Sequence, residues 1–277
     1  MTNVGLKSPF FLRAVLAAIG CSFCTSIIGN YVVFSRLSNI AAALSHALIA
    51  GIGLSIYLQK VHQIQWLSPG ITCLFLSIFN GFLLATAGKK NTANQEAMAT
   101  AIWVSCSAIG LVLLSKTPSG GQELNRYMLG NILWVSNGQI KRLFILSSSV
   151  LLFSSFFHKQ ILCKIVEEDL ASLQGISTKK LDFLLMVFLS ITVSTLTIIF
   201  GGLLVMAFLH LPALAAGKII RKNIPSSIAC TFYISAFSSL FGLFISLHTN
   251  TPPTASTSLL LAILYVVAEV YSRWKPR

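Results

Sequence analysis

The sequence predicts an all-α fold, a polytopic bundle of about eight to nine transmembrane helices forming one domain over residues 1–277, and three observations predict it. Hydrophobic residues make up 55% of the chain and charged residues only 10%, against roughly 25% charged in ordinary soluble domains. The apolar residues arrive in blocks: 14–34, 40–58, 71–87, 97–115, 143–157, 181–217, 226–247 and 256–271 are nearly or wholly free of Lys, Arg, Asp and Glu. A bilayer core takes about 20 such residues per helix, and the shorter blocks reach that length with polar flanks. Nor do the blocks alternate apolar with polar, as the ~10-residue strands of a membrane barrel do.

Taken in order, the first block, 14–34, follows Lys7 and Arg13 and so imitates a secretory signal. Its 21 residues exceed the roughly 7–15 of a signal's apolar region, so it reads as an uncleaved first span. Cys21 and Cys24 sit mid-helix without a second pair or a loop histidine, which zinc and redox motifs require, and read as packing thiols. The second block, 40–58, carries His46 among Ala41, Ala42, Ala43, Ser45, Ala47, Ala50 and Gly51. Small residues let helices approach closely, and an ionisable group inside a span faces the bundle interior or a water-filled cavity. His46 is therefore either a hydrogen-bonded packing histidine or a residue on a pathway. Blocks 71–87, 97–115 and 143–157 read as further spans.

The segment at about 164–180 opens its acidic run with Glu167, Glu168 and Asp169, continues through Leu170 and Ala171 to Gly175, and closes on Lys179 and Lys180. Acids at a helix start and cations near its end suit the helix dipole, and glycine suits the C-terminal cap. A short amphipathic cytoplasmic helix is expected, as a solvated connector or as a docking surface. Block 181–217 is too long for one crossing: as a helix it would reach about 55 Å against a core of ~30 Å. Gly201 and Gly202 lie near its middle, and glycine weakens helices while Pro212 removes a backbone donor. The block is expected to form a hairpin or two broken helices, with Lys179, Lys180, Lys218, Arg221 and Lys222 on one cytoplasmic side. His210 and His248 are expected near span ends, at the interface. Blocks 226–247 and 256–271 complete the bundle and return Arg273, Lys275 and Arg277 to the cytoplasm, with Glu269 snorkelling or pairing helices from inside the last span.

The net charge of +13 suggests nucleic acid until its carriers are placed. Lys89, Lys90, Lys141, Arg142 and the clusters above fall between blocks, where basic residues set orientation. No phosphate-cradling loop is present, because Gly88-Lys89 and Gly217-Lys218 lack the earlier glycine and the following Ser or Thr. Ser-His-acid and HExxH arrangements are missing as well, and seven acids are too few for paired acid/base work. Catalysis within this chain is not expected.

Four segments resemble the membrane permease subunit of bacterial ABC importers for zinc, manganese or iron. VVFSRLSNIAAALSHALIAGIGLSIYL (32–58) is similar to the family's arginine, serine, Ser-His-Ala and glycine pattern. EEDLASLQGISTKKLDFLL (167–185) resembles its coupling segment, FGGLLVMAFLHLPALAAGKI (200–219) its Gly-x-Leu-Leu-Val and Leu-Pro-Ala signature, and NTPPTASTSLL (250–260) its last turn. Order and spacing agree from about residue 10 to 272. The resemblance implies a multi-pass protein of the bacterial cytoplasmic membrane that stably binds no cofactor. It also implies a second permease subunit, identical or paralogous, two cytoplasmic ATP-binding subunits that carry the ATP, and an extracytoplasmic metal-binding protein. It implies that Glu167, Glu168, Asp169, Leu170, Ala171 and Gly175 couple to the ATPase, and that Gly201, Gly202 and Pro212 shape the gate between permease subunits. His46 corresponds to a histidine on the translocation path, a transient metal ligand whose usual companion is an aspartate four residues earlier. Here Ala42 occupies that position, so the nitrogen remains without the oxygen, which makes a manganese preference harder to argue. The alternatives are a permease for an iron chelate or corrinoid, for which this chain is short, and an ion-coupled secondary transporter. The latter usually shows intramembrane acids or a repeat, and neither is evident.

Overall fold

The computed structural model describes residues 9–86, 92–130, 132–220 and 223–274, and every regular element among them is helical. In chain order these are α1 (Pro9–Phe34), α2 (Ser38–Val61), α3 (Pro69–Thr86), α4 (Thr92–Ser115), α5 (Gly120–Leu129), a 3-10 turn (Ile132–Trp134), α6 (Asn137–Val166) and α7 (Glu168–Leu173). They continue with α8 (Thr178–Phe200), α9 (Gly202–Ile219), α10 (Ile224–Thr249) and α11 (Pro253–Trp274). Among the described residues nine helices are long and apolar enough to cross a bilayer, all but α5 and α7. The all-α bundle expected from the blocks is thus the fold observed, at the upper end of the expected span count. Lys7, Gly88, Lys89, Lys90, Arg221, Lys222, Lys275 and Arg277, invoked above as flanking residues, lie outside the described residues.

The chain forms two compact units. The first holds α1, the start of α6, α9, α10 and α11. Its core pairs large apolar groups such as Tyr31, Phe200 and Phe208 with an unusually polar helix, for the buried face of α10 reads Ser227, Thr231, Ser235, Ser238, Ser239, Gly242, Leu243 and Ser246. Hydrocarbon supplies no hydrophobic drive between helices, so small hydroxylic residues that allow close approach do the packing. The Asn30 amide donates to the Ser26 carbonyl at 2.7 Å and the Thr231 hydroxyl at 2.8 Å, and accepts from Ser227 at 2.8 Å, which joins α1 to α10.

The second unit holds α2, α3, α4, α5, the end of α6, α7 and nearly all of α8. Helix α2 packs against both α3 and α4. Across α3 and α8, the Ser77 hydroxyl donates to the Ser190 carbonyl at 3.4 Å and Ser190 returns the bond to Ser77 at 3.1 Å. At the outer end of α2, Lys60 donates to the Pro118 carbonyl and the Ser119 hydroxyl and pairs with Glu123, pinning the start of α5.

Candidate functional site

Helix α2 owes its position to two glycines that leave no room for a side chain. A Cβ on Gly53 would lie 2.6 Å from the Gly110 carbonyl oxygen, and one on Gly110 would lie 2.4 Å from that of Ile49. The backbones of α2 and α4 therefore touch, and seven residues earlier on each helix the same register brings His46 onto Trp103. Their rings stack with centroids 4.8 Å apart and planes 21° from parallel. His46 is half-buried, as is Ala42 one turn before it. The side chain thus meets an aromatic face rather than a carboxylate, and Ser45 beside it bonds back to the Ala41 carbonyl at 3.0 Å. Among the described residues no three His, Cys, Asp or Glu come close enough to hold a metal ion.

The segment expected to couple forms a helix, α7, shorter than the acidic run and its flanks suggest. Glu167 caps it in an extended conformation, and Glu168 and Asp169 fill the first turn, where carboxylates favour the dipole. Gly175 closes it at φ +78°, with the Ile176 amide donating to the Ala171 carbonyl and the Gly175 amide to that of Ser172, both at 3.0 Å. These two bonds make a Schellman cap. Ala171 is fully buried, whereas Leu170 and Leu173 are exposed, Leu173 at 86%. Lys179 and Lys180 belong to the first turn of α8 and not to the end of α7. The short helix consequently presents two leucines and two acids outward on a tightly capped turn.

The long apolar block breaks at one residue. Gly201, at φ 85° and ψ 151°, separates α8 from α9, while Gly202 is already helical. Pro212 lies inside α9, buried, and the helix continues through it; its ring nitrogen leaves the Phe208 carbonyl without the usual helical donor. The break corrects the placement of His210. With α9 running Gly202–Ile219, this residue sits at mid-helix and not near a span end. The block had been divided too loosely to show this, because sequence supplies two adjacent glycines and only the backbone says which one turns. The His210 ring Nδ1 donates to the Met206 carbonyl at 2.9 Å. His248 does lie at the end of its helix, α10, with Nδ1 donating to the Phe244 carbonyl at 3.0 Å. Glu269 pairs α11 with α9 through Lys218 at 2.8 Å and takes Arg273 on its own helix at 3.2 Å. Trp103, like the mid-span position of His210, had no signal in sequence, since nothing in a stretch of apolar residues marks which ring another helix will meet.

The family described as "ABC 3 transport family" matches residues 7–272. The chain is 26% identical over 268 residues to the "Probable metal transport system membrane protein" of Chlamydia muridarum (strain MoPn / Nigg), covering 97% of this chain and 91% of that one. It is 24% identical over 255 residues to the high-affinity zinc uptake system membrane protein ZnuB of Haemophilus influenzae, covering 92% and 95%. Among solved structures, PsaBC from Streptococcus pneumoniae in complex with Fab superposes with a TM-score of 0.82 at 24% identity, over 96% of this chain and 93% of that chain, a likeness of fold.

Proposed function

This chain belongs to the ABC 3 transport family, and on that footing we propose that it is the permease of an importer carrying a divalent transition-metal ion, zinc before manganese or iron, into the bacterial cytoplasm. One observation carries the reading most directly: α7, a capped turn with its leucines and acids outward, lies between two membrane-spanning helices of a chain that contains no ATP site of its own. Force has to enter from a partner, and α7 is shaped to receive it. Nine crossings, counted among the described residues, put Pro9 and Trp274 on opposite sides of the membrane. Among the described residues Arg36, Lys159, Lys164, Lys179, Lys180, Lys218 and Arg273 then share the side of α7, opposite Arg13, Lys60, Lys116, Arg126, Lys141 and Arg142. In the sequence the clusters Lys89/Lys90, Arg221/Lys222 and Lys275/Arg277 add to the α7 side by their place between or after the blocks. The excess of Lys and Arg marks the α7 side as cytoplasmic.

Hydrolysis of ATP belongs to two cytoplasmic subunits docked on α7, and high-affinity capture belongs to a separate extracytoplasmic binding protein. A second permease subunit completes the path, in the cytoplasmic membrane of the bacterium. His46 offers the ion one nitrogen in passing, and water or backbone carbonyls supply the rest. The absence of an acid at Ala42 favours a metal content with nitrogen, hence zinc. The test is uptake of radiolabelled zinc, manganese and iron(II) into proteoliposomes holding the permease, its ATPase and the loaded binding protein. Zinc uptake that requires ATP is the expected result; no ATP-dependent uptake of any of the three overturns the reading.

A further inference from the structure

We infer that the ion pair between Lys164 and Asp182 is a brace that makes the coupling helix move as one body with the two spans that flank it. The inference rests on the role of α7 proposed above and concerns how motion leaves that helix. A six-residue helix joined to its neighbours by short linkers is a poor lever. If α6 and α8 could separate at their cytoplasmic ends, displacement of α7 would be absorbed there by the linkers.

The structure closes that gap from both sides. Lys164 lies in the last turn of α6, two residues before the helix ends at Val166, and Asp182 lies in the second turn of α8, which starts at Thr178. Their side chains form an ion pair and are only 14% and 13% exposed. One residue from Lys164, the Cys163 thiol donates to the Gln174 side-chain oxygen at 3.4 Å, which ties the end of α6 to the cap of α7. Ala171 of α7 and Leu181 of α8 are both buried. The segment is therefore a closed loop: α6, α7 and α8 in sequence, with the ion pair as the bar across its base.

The chemistry of the bar suits the task. Charges withdrawn from water attract strongly but are costly to part, because their mutual attraction offsets the loss of hydration. Such a pair contributes little net stability and strongly penalises separation, which is what a force-bearing joint requires. Lys164 and Asp182 are positioning residues, since neither touches cargo or nucleotide.

The test uses the assembled transporter with a nitroxide label at Ser172→Cys, an exposed site on α7, in a background in which Cys163→Ser keeps a hydroxyl donor to Gln174 and the other native cysteines are Ala. In Asp182→Asn and in Lys164→Met the label should gain mobility, and ATP hydrolysed per ion imported should rise about tenfold, within the range of coupling between contacting groups. The reversed pair, Lys164→Asp with Asp182→Lys, should restore both readouts. Unchanged label mobility, or an unchanged ATP-to-ion ratio, in single variants that assemble overturns the brace. If the single variants do not assemble, the reversed pair decides: recovery of assembly, mobility and ratio supports the brace, and failure to recover them overturns it. Should the wild-type complex carry no metal ion, the cargo reading fails, while the label, which needs no cargo, still decides the brace.

Discussion

His46 is where chemistry and packing compete most evenly. Stacked on Trp103, the imidazole fills space between α2 and α4 as any aromatic ring would, yet it keeps a nitrogen able to meet a metal ion. The two roles separate by experiment. As a pathway ligand, the ring must be neutral, since the imidazolium has no lone pair to offer. Zinc uptake by wild type should therefore be full while the imidazole is neutral and fall once the medium is acid enough to protonate it. His46→Ala should lower zinc uptake per assembled complex about tenfold and flatten that acid limb. Normal uptake per complex with reduced yield would assign the residue to packing instead. Ala42→Asp should raise manganese uptake relative to zinc, because it adds the oxygen donor one helical turn away. At Asn30 the expectation concerns stability alone. Asn30→Ala removes the acceptor of the Ser227 hydroxyl and the donor to that of Thr231, which keeps its own bond to the Ser227 carbonyl, and should cost about 1 kcal/mol, read as a lower midpoint in thermal unfolding of the purified protein.

At the scale of elements, the sequence-based reading found α7 and the broken span but misjudged their edges. The acids and Gly175 announced a capped helix, and the cap is as expected. The helix dipole favours cations at a helix end and so assigns the lysines to α7, whereas they lie in the first turn of α8. Glu168→Lys with Asp169→Lys should leave the permease inserted while weakening ATPase co-purification and uptake together, and unchanged values for both would remove α7 as the docking element. The two glycines at the break now make opposite predictions. Gly201 occupies a φ that side chains avoid, so Gly201→Ala should destabilise by about 1–3 kcal/mol. Gly202 is helical, so Gly202→Ala should be tolerated. Along α9, Met206, His210 and Leu214 share a partly exposed face while Leu204, Phe208 and Leu209 are buried. Cysteines introduced from 200 to 216 should react with a membrane-impermeant thiol reagent at the first set and not the second. An unreactive pattern throughout would rule out a water-lined gate.

For the molecule as a whole, the fold was legible because the solvent that selects it is the bilayer. Block length alone separates a span from a loop when a helix rises ~1.5 Å per residue across a core of ~30 Å. Long-range placement was not legible, because the hydroxyl-rich face of α10 and the Gly53–Gly110 contact depend on which helices meet, and apolar sequence is silent about neighbours. Orientation falls between these cases. The N-terminal charges are too evenly spread to fix it, and only a count of nine spans resolves it, by carrying the C-terminal bias back through alternating crossings to α1. The shortest of the nine are α3 and α9, at 18 residues each. Their helical length of about 27 Å just matches the hydrocarbon core. Single cysteines at Ser119, between α4 and α5, and at Ser177, before α8, should then react from opposite sides in sealed cells without native cysteines: Ser119→Cys from outside, Ser177→Cys only after permeabilisation. Labelling of both from the same side would mean an error in span number between them, and α6, the one span that separates the two sites, would be the helix to reassign.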